Sequence, residues 1–270
     1  MTFSRLTLLL LASLVSQPDP RAPSVTYLAN EGVMLEGNGG RIFLDAFFGE
    51  GLPDYPVVPA ALRDSLERGL GRFAGPAAAL TTHPHRDHFD PAAVARYLGS
   101  NAEALAVGPV GIGARLDSVS PGLRARTREL APKGAEPATL DVGWARIQAL
   151  AIPHGHTVRP VEHVAYLIVV DGTTALHLGD TNSDPVTWPG LGLPAGRVDL
   201  VLAPYWYALD NERFASLLRV TRARTVVLLH LPRMPDRSWD ASARELRERY
   251  SQVEIPTRFG MRLSLRPPLP

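Results

Sequence analysis

The sequence predicts an α/β protein in which two β-sheets face one another and helices cover their outer sides. Two observations carry this: strand-like apolar runs mix regularly with amphipathic helical segments, and the start of the chain is rich in hairpin signals. No internal repeat and no linker divides the 270 residues, so residues 21–265 read as one domain, large enough to bury a substantial core.

Composition narrows the class further. Hydrophobic content of 45% and charged content of 20% are values of a globular chain, not a disordered one. The formal net charge is +1, from 28 basic and 27 acidic side chains, which gives no electrostatic footprint for nucleic acid. Cysteine is absent. That removes disulfides, thiolate ligands and cysteine nucleophiles, and leaves any metal to His, Asp and Glu.

Residues 1–20 read as a secretory signal peptide: Arg5 precedes the apolar run Leu6–Val15, which is too short to span a bilayer comfortably, and Ser16 and a proline-rich stretch follow. The expected location is therefore periplasmic or secreted, with no stable membrane anchor after cleavage. The alternatives are an uncleaved anchor or a first strand of the fold.

From Val25 onward the pattern is of strands, over Val25–Leu28, Val33–Leu35 and Arg41–Asp45, the last two joined by the Gly37-Asn38-Gly39-Gly40 turn. Pro59 to Arg72 reads as an amphipathic helix with Leu62, Leu66 and Leu70 on one face. Ala77–Leu80 is a buried strand. Asp90-Pro91 opens a short helix expected to stop at Gly99, since a carboxylate followed by proline is a start signal. Ala104–Val107 is a short strand; from there to Leu140 glycine and proline leave no regular pattern. Strands follow over Ala145–Ile152, Val164–Val170, Thr174–Leu178, Val198–Ala203 and Thr225–His230, with helices over Asn211–Val220 and Ser238–Tyr250.

The richest stretch is Thr81-Thr82-His83-Pro84-His85-Arg86-Asp87-His88-Phe89-Asp90. His83 and His85 are two apart on extended chain, project to the same side, and can grip one ion together. The turn into the next helix can aim Asp87 and His88 at a second point beside the first.

This His-x-His-x-Asp-His arrangement resembles the signature of the metallo-β-lactamase-fold hydrolase superfamily. The resemblance implies a four-layer αββα sandwich and two metal ions, most simply zinc, with iron or manganese also suited to imidazole and carboxylate donors. It implies a downstream histidine for the first ion, for which both His154 and His156 are placed; the strand end favours His154, leaving His156 as a substrate contact or loop residue. It implies Asp180, in Leu178-Gly179-Asp180, as a carboxylate shared by both ions, and His230 as the last ligand of the second. The ligand set is then His83, His85 and His154 for one ion and Asp87, His88 and His230 for the other, with Asp87 and Asp180 as the catalytic carboxylates. Asp45, ending a strand, is expected either to orient a ligating histidine or merely to start a turn. His163 is expected to be structural, and so is His177, because strand parity points it away from Asp180. Within Pro204-Tyr205-Trp206-Tyr207, Tyr205 or Tyr207 is expected to line a substrate pocket.

The activity implied is hydrolysis of an ester, lactone or phosphoester bond of a small molecule by a metal-bridging hydroxide. The alternatives are an iron-dependent oxidoreductase on the same fold or a β-lactamase-type amide hydrolase. The last is disfavoured, since the cysteine-ligated kinds are impossible here and the remaining kind generally lacks an aspartate placed like Asp180.

Overall fold

The structure is a computed structural model that describes residues 22–155, 160–182, 196–232 and 237–265. The leader expected over residues 1–20, His156 and the residues from 266 onward lie outside the described residues.

Among the described residues, fourteen strands form two seven-stranded sheets. The first contains β1 (Ser24–Ala29), β2 (Gly32–Glu36), β3 (Arg41–Leu44), β4 (Ala77–Leu80), β5 (Ala104–Gly108), β6 (Thr127–Glu129) and β14 (Arg262–Ser264), with β14 beside β1 and the others following in sequence order. The second contains β7 (Ala138–Asp141), β8 (Ala145–Leu150), β9 (Ala165–Val170), β10 (Thr173–His177), β11 (Leu200–Pro204), β12 (Thr225–Leu229) and β13 (Val253–Glu254), again in order. In each sheet antiparallel hairpins give way to parallel strands, from β3 through β6 and from β10 through β13. Parallel strands buried on both faces read as continuous apolar runs, which is why Ala77–Leu80 and Thr225–Leu229 show no polar alternation.

Period-two alternation sends side chains to two different cores. Ile42, Leu44, Ala78 and Leu80 of the first sheet meet Ile147, Tyr166, Ile168 and Val227 of the second between the sheets. The opposite faces pack on helices. Phe43, Ala77 and Ala79 lie under α1 (Ala60–Glu67), α2 (Pro91–Ser100) and α3 (Ile112–Val119). Leu167, Leu176 and Leu228 lie under α4 (Asn211–Thr221) and α5 (Arg237–Arg249). The layers are helix, sheet, sheet, helix, the four-layer αββα sandwich that the sequence predicts.

Three segments differ from expectation. The helix expected over Pro59–Arg72 stops at Glu67, with Gly69 at φ 58, and only Leu66 of its three leucines is buried; Leu62 and Leu70 are exposed at 38% and 43%. Helix α2 runs through Gly99 to Ser100, where Asn101 Nδ2 donates to the Tyr97 carbonyl at 2.9 Å. Between residues 109 and 140 the chain forms α3, β6 and β7. The N-terminus of α3 is closed by the Glu129 carboxylate, which accepts from Gly111 N at 3.0 Å and Gly113 N at 2.9 Å, a cap supplied from β6.

Asp90 caps α2 as its sequence predicts, accepting from Ala92 N at 2.8 Å, and Asp90 N in turn donates to the Phe47 carbonyl at 2.7 Å. Asp90→Ala should lower unfolding free energy by about 1 kcal/mol, the usual loss for an N-cap. Urea denaturation checks this.

Candidate metal centre

The parallel strands of both sheets end at one edge, and the candidate residues lie just beyond those ends, where open parallel sheets place their ligands. Strand β4 runs into Thr81–His88, held by Thr81 N donating to the Val107 carbonyl at 2.9 Å, and by Val164 N and Tyr166 Oη donating to the Thr82 and Thr81 carbonyls at 3.0 and 2.8 Å. His154 follows β8, Asp180 follows β10, and His230 follows β12 at φ 56.

Two groups of ligand atoms result. His83, His85, His154 and Asp180 form one, and Asp87, His88 and His230 the other, the atoms of each lying within 4.8 Å of one another. In the first, His83 Nε2 lies 2.9 Å from His85 Nδ1 and 3.3 Å from His154 Nε2. In the second, Asp87 Oδ2 lies 3.4 Å from His230 Nε2 and 3.7 Å from His88 Nε2. The Asp180 carboxylate spans both. Its Oδ2 is 3.8 Å from His83 Nε2 and 3.6 Å from His154 Nε2, while its Oδ1 is 3.2 Å from His88 Nε2 and 3.4 Å from His230 Nε2.

These atoms suit cations. Donors bound about 2.0–2.2 Å from one ion sit roughly 3.3–3.5 Å apart in a tetrahedral shell, close to the separations here. His88 Nε2, His230 Nε2 and Asp180 Oδ1 are buried with no hydrogen-bond partner, which is costly unless something else satisfies them.

Behind the ligands stands Asp45, fully buried at the end of β3 with φ 44. Its Oδ1 accepts from Thr82 N at 2.7 Å, and its Oδ2 accepts from Thr82 Oγ1 at 2.7 Å, His177 Nε2 at 2.9 Å and His88 Nδ1 at 3.0 Å. Because the Thr82 hydroxyl donates to Asp45, it accepts from His83 Nδ1, 2.9 Å away. Both His83 and His88 therefore carry a proton on Nδ1 and turn Nε2 toward the ligand groups. Asp45 thus orients histidines of both candidate groups, His83 through Thr82 and His88 directly, and is not a simple turn former.

The electrostatics follow the geometry. Burial opposes ionisation of Asp45, yet His88 and His177 hold its carboxyl well below the usual range. Burial likewise opposes charge on His88, but Asp180 and Asp45 raise it well above the ordinary imidazole value. His230, also buried, is lifted to about 9 by Asp180 and Asp87. Burial keeps His83 neutral, as a ligand must be.

A family model described as the beta-lactamase superfamily domain matches residues 40–231, the span from β3 to just past β12. The chain belongs to the metallo-β-lactamase superfamily. Among solved structures, this superfamily member is similar to Igni18, a metallo hydrolase from the hyperthermophilic archaeon Ignicoccus hospitalis, at 20% identity over 90% of this chain and 97% of that one, with a TM-score of 0.62. It is similar to an isothiocyanate hydrolase from Delia radicum gut bacteria at 15% identity over 89% of this chain and 98% of that one, TM-score 0.64. It is also similar to CmlA, a diiron β-hydroxylase from Streptomyces venezuelae, at 15% identity and TM-score 0.62, covering 92% of this chain but spanning only 55% of that one. No curated protein matches the chain significantly.

The residues expected to form the centre of this superfamily member come together: His83, His85, Asp87, His88, His154, Asp180 and His230. Of the two candidates for the downstream histidine, His154 lies in the first group, and His156 is outside the described residues. His163 is buried, bonded through Nδ1 to the Ile152 carbonyl at 2.9 Å, and packs its ring 5.2 Å from that of His83. His177 does not turn away from the site. It points between the sheets to Asp45, on the same face of β10 as Ala175, and the break in alternation at Gly179, φ 55, lets Asp180 turn toward the same region.

A cavity of about 420 Å³ opens over Asp180, His154 and His230. Its walls include Tyr55, Trp206, Leu209 and Arg213. The expectation for Tyr205 and Tyr207 is corrected here: Tyr207 is buried, its hydroxyl bonded to Thr181 Oγ1 and the Asn182 carbonyl at 2.7 Å each, and Trp206 lines the cavity instead. A tight helical turn over Tyr205–Leu209 replaces the extended chain assumed for these aromatics, so residue 206 rather than its neighbours faces the opening. Tyr205 packs edge-on against Trp206, ring centroids 5.8 Å apart.

A Cβ on Gly179 would lie 2.7–2.8 Å from the Thr82 side chain. Gly179→Ala should therefore destabilise the metal-free protein by about 1–3 kcal/mol, through strain at φ > 0 and the clash together. Chemical denaturation in the presence of a chelator measures this.

Proposed function

We propose that this protein is a dinuclear, zinc-dependent hydrolase that cleaves an ester, lactone or phosphoester bond in a small molecule. The position of Asp180, with one carboxylate oxygen toward each ligand group, carries the reading. A carboxylate held so by two clusters of imidazoles serves two cations better than one.

In this reading His83, His85 and His154 hold one ion, Asp87, His88 and His230 hold the other, and Asp180 joins both. Bound divalent cations supply Lewis acidity, lowering the pKa of water toward neutrality and polarising a carbonyl or phosphoryl oxygen. The protein supplies the rest. Asp87 and Asp180 contribute negative charge that lets imidazole sites hold cations without thiolates. Tyr55 and Trp206 pack edge-on against the His230 ring, with centroids 4.1 and 5.1 Å away, and shield that side of the centre from water. Arg213, ion-paired with Asp210 at 3.6 Å, stands at the cavity wall where a polar part of a substrate would lie.

A second reading is an iron-dependent oxidoreductase. It is favoured by the donor set, since imidazole and carboxylate without thiolate suit iron as well as zinc, and by similarity to a diiron β-hydroxylase. Metal quantification of protein purified without added metal separates the two: zinc with hydrolysis in a screen of lactones, phosphodiesters and β-lactams supports the first, iron with oxygen uptake the second. By its leader the enzyme belongs to the periplasm or the exterior, which sequencing of the mature N-terminus tests.

Asp180→Ala should reduce the bound metal from two ions to one or none and lower turnover at least about 100-fold, as several kcal/mol of charge stabilisation are lost. Wild-type metal content with retained turnover would end the bridging role.

A further inference from the structure

The turn between β1 and β2, Ala29-Asn30-Glu31-Gly32, supplies no atom to either ligand group, yet bonds lead from it to Asp87 and His230 of the second, and Glu31 faces the His177–Asp45 pair that holds the third, His88. Asn30 Nδ2 donates to the Asp87 carbonyl at 3.2 Å and lies 3.5 Å from Asp87 Oδ2. His230 N donates to the Asn30 carbonyl at 3.3 Å. Glu31 Oε2 faces His177 Nδ1 at 3.9 Å, and His177 Nε2 donates to the Asp45 oxygen that also accepts from His88 Nδ1.

Turn chemistry explains two of these residues and not the third. Asn30 sits at φ 48, a conformation asparagine tolerates, and a Cβ on Gly32 would come within 2.8 Å of the Ala29 carbonyl. Nothing about a hairpin calls for Glu31. Its side chain is fully buried, and both of its oxygens, like His177 Nδ1, lack a hydrogen-bond partner. A buried carboxylate is costly, so its place opposite His177 points to a role. The first group leans partly on the same anion: His83 is supported by the Thr82 hydroxyl, which itself donates to Asp45, whereas His154 Nδ1 donates to the Gly155 carbonyl at 3.0 Å.

We propose that Asn30, Glu31 and His177 are positioning residues for the second cation. Asn30 fixes Asp87 and His230, while Glu31 acts through His177 and Asp45 to keep His88 Nε2 free for the ion. This rests on the two-ion reading.

Chelator competition on the zinc-loaded full-length protein, with both ions quantified, tests it. Asn30→Gly keeps the left-handed backbone and deletes only the amide; His177→Leu deletes the donor to Asp45. Asn30→Gly should weaken one of the two ions by about 10–100-fold and leave the other at wild-type affinity. His177→Leu, which reaches Thr82 as well as His88 through Asp45, should weaken at least one ion by a similar factor. His177→Gln, whose amide can still donate to Asp45, should recover most of that loss. Unchanged retention of both ions in Asn30→Gly or in His177→Leu, equal loss of both ions in Asn30→Gly, or no recovery in His177→Gln would overturn the proposal. The ring Nδ1–H resonance of His88 in metal-free, 15N-histidine-labelled protein gives a readout that needs no metal. It should broaden by exchange in His177→Leu and persist in His177→Gln; persistence in both overturns the role of His177. Should wild type hold fewer than two ions, the two-ion reading fails and this resonance alone decides the role of the arm. Circular dichroism identifies an unfolded His177→Leu, in which case Asn30→Gly decides.

Discussion

The Asp45 carboxylate lies between the two sheets, wholly out of water, and accepts bonds from both. Taking an anion out of water costs several kcal/mol, and here the cost is offset by the Thr82 amide and hydroxyl, His177 and His88. Thr82 belongs to the first sheet's strand ends and His177 closes β10 of the second. The spacing of the sheets at this edge, the tautomers of His83 and His88, and the approach of Gly179 to Thr82 all depend on that single group.

The grouping of the candidate residues was legible because its chemistry is local. Three imidazoles and a carboxylate in six positions after a buried strand need no tertiary context, and Asp180 and His230 each follow an apolar run that can only be a strand. Asp90-Pro91 likewise announces α2 by itself. The features that escaped depend on distant partners. The cap of α3 comes from Glu129, sixteen to eighteen residues away, so Pro109-Val110-Gly111 looks merely irregular. His177 was misjudged because alternation was carried across Gly179, where the backbone leaves the strand. Tyr207 was misjudged because its hydroxyl is satisfied by Thr181 and Asn182, which no short-range pattern reveals. Glu31 had a signal that went unread, an acid set beside Asn30 between two apolar strands.

The cavity adds a different kind of order. Tyr55 from the loop before α1 and Trp206 from the turn after β11 both meet the His230 ring edge-on. His230 is at φ 56, a conformation unusual for a non-glycine residue, and its amide reaches the Asn30 carbonyl. Strain at one residue is thus held in place by contacts from three separated parts of the chain, as is common where a side chain must point in one direction only.

Residues from position 45 to position 230, drawn from both sheets, converge on the same few ångströms. An unfolded chain cannot present them together, so any cation they hold binds only the fully docked sandwich. By mass action such an ion acts as a clasp: at a free concentration 100 times its dissociation constant it adds about 2.7 kcal/mol to the folded state. The hold of one sheet on the other is then set in part by how much metal the surroundings provide.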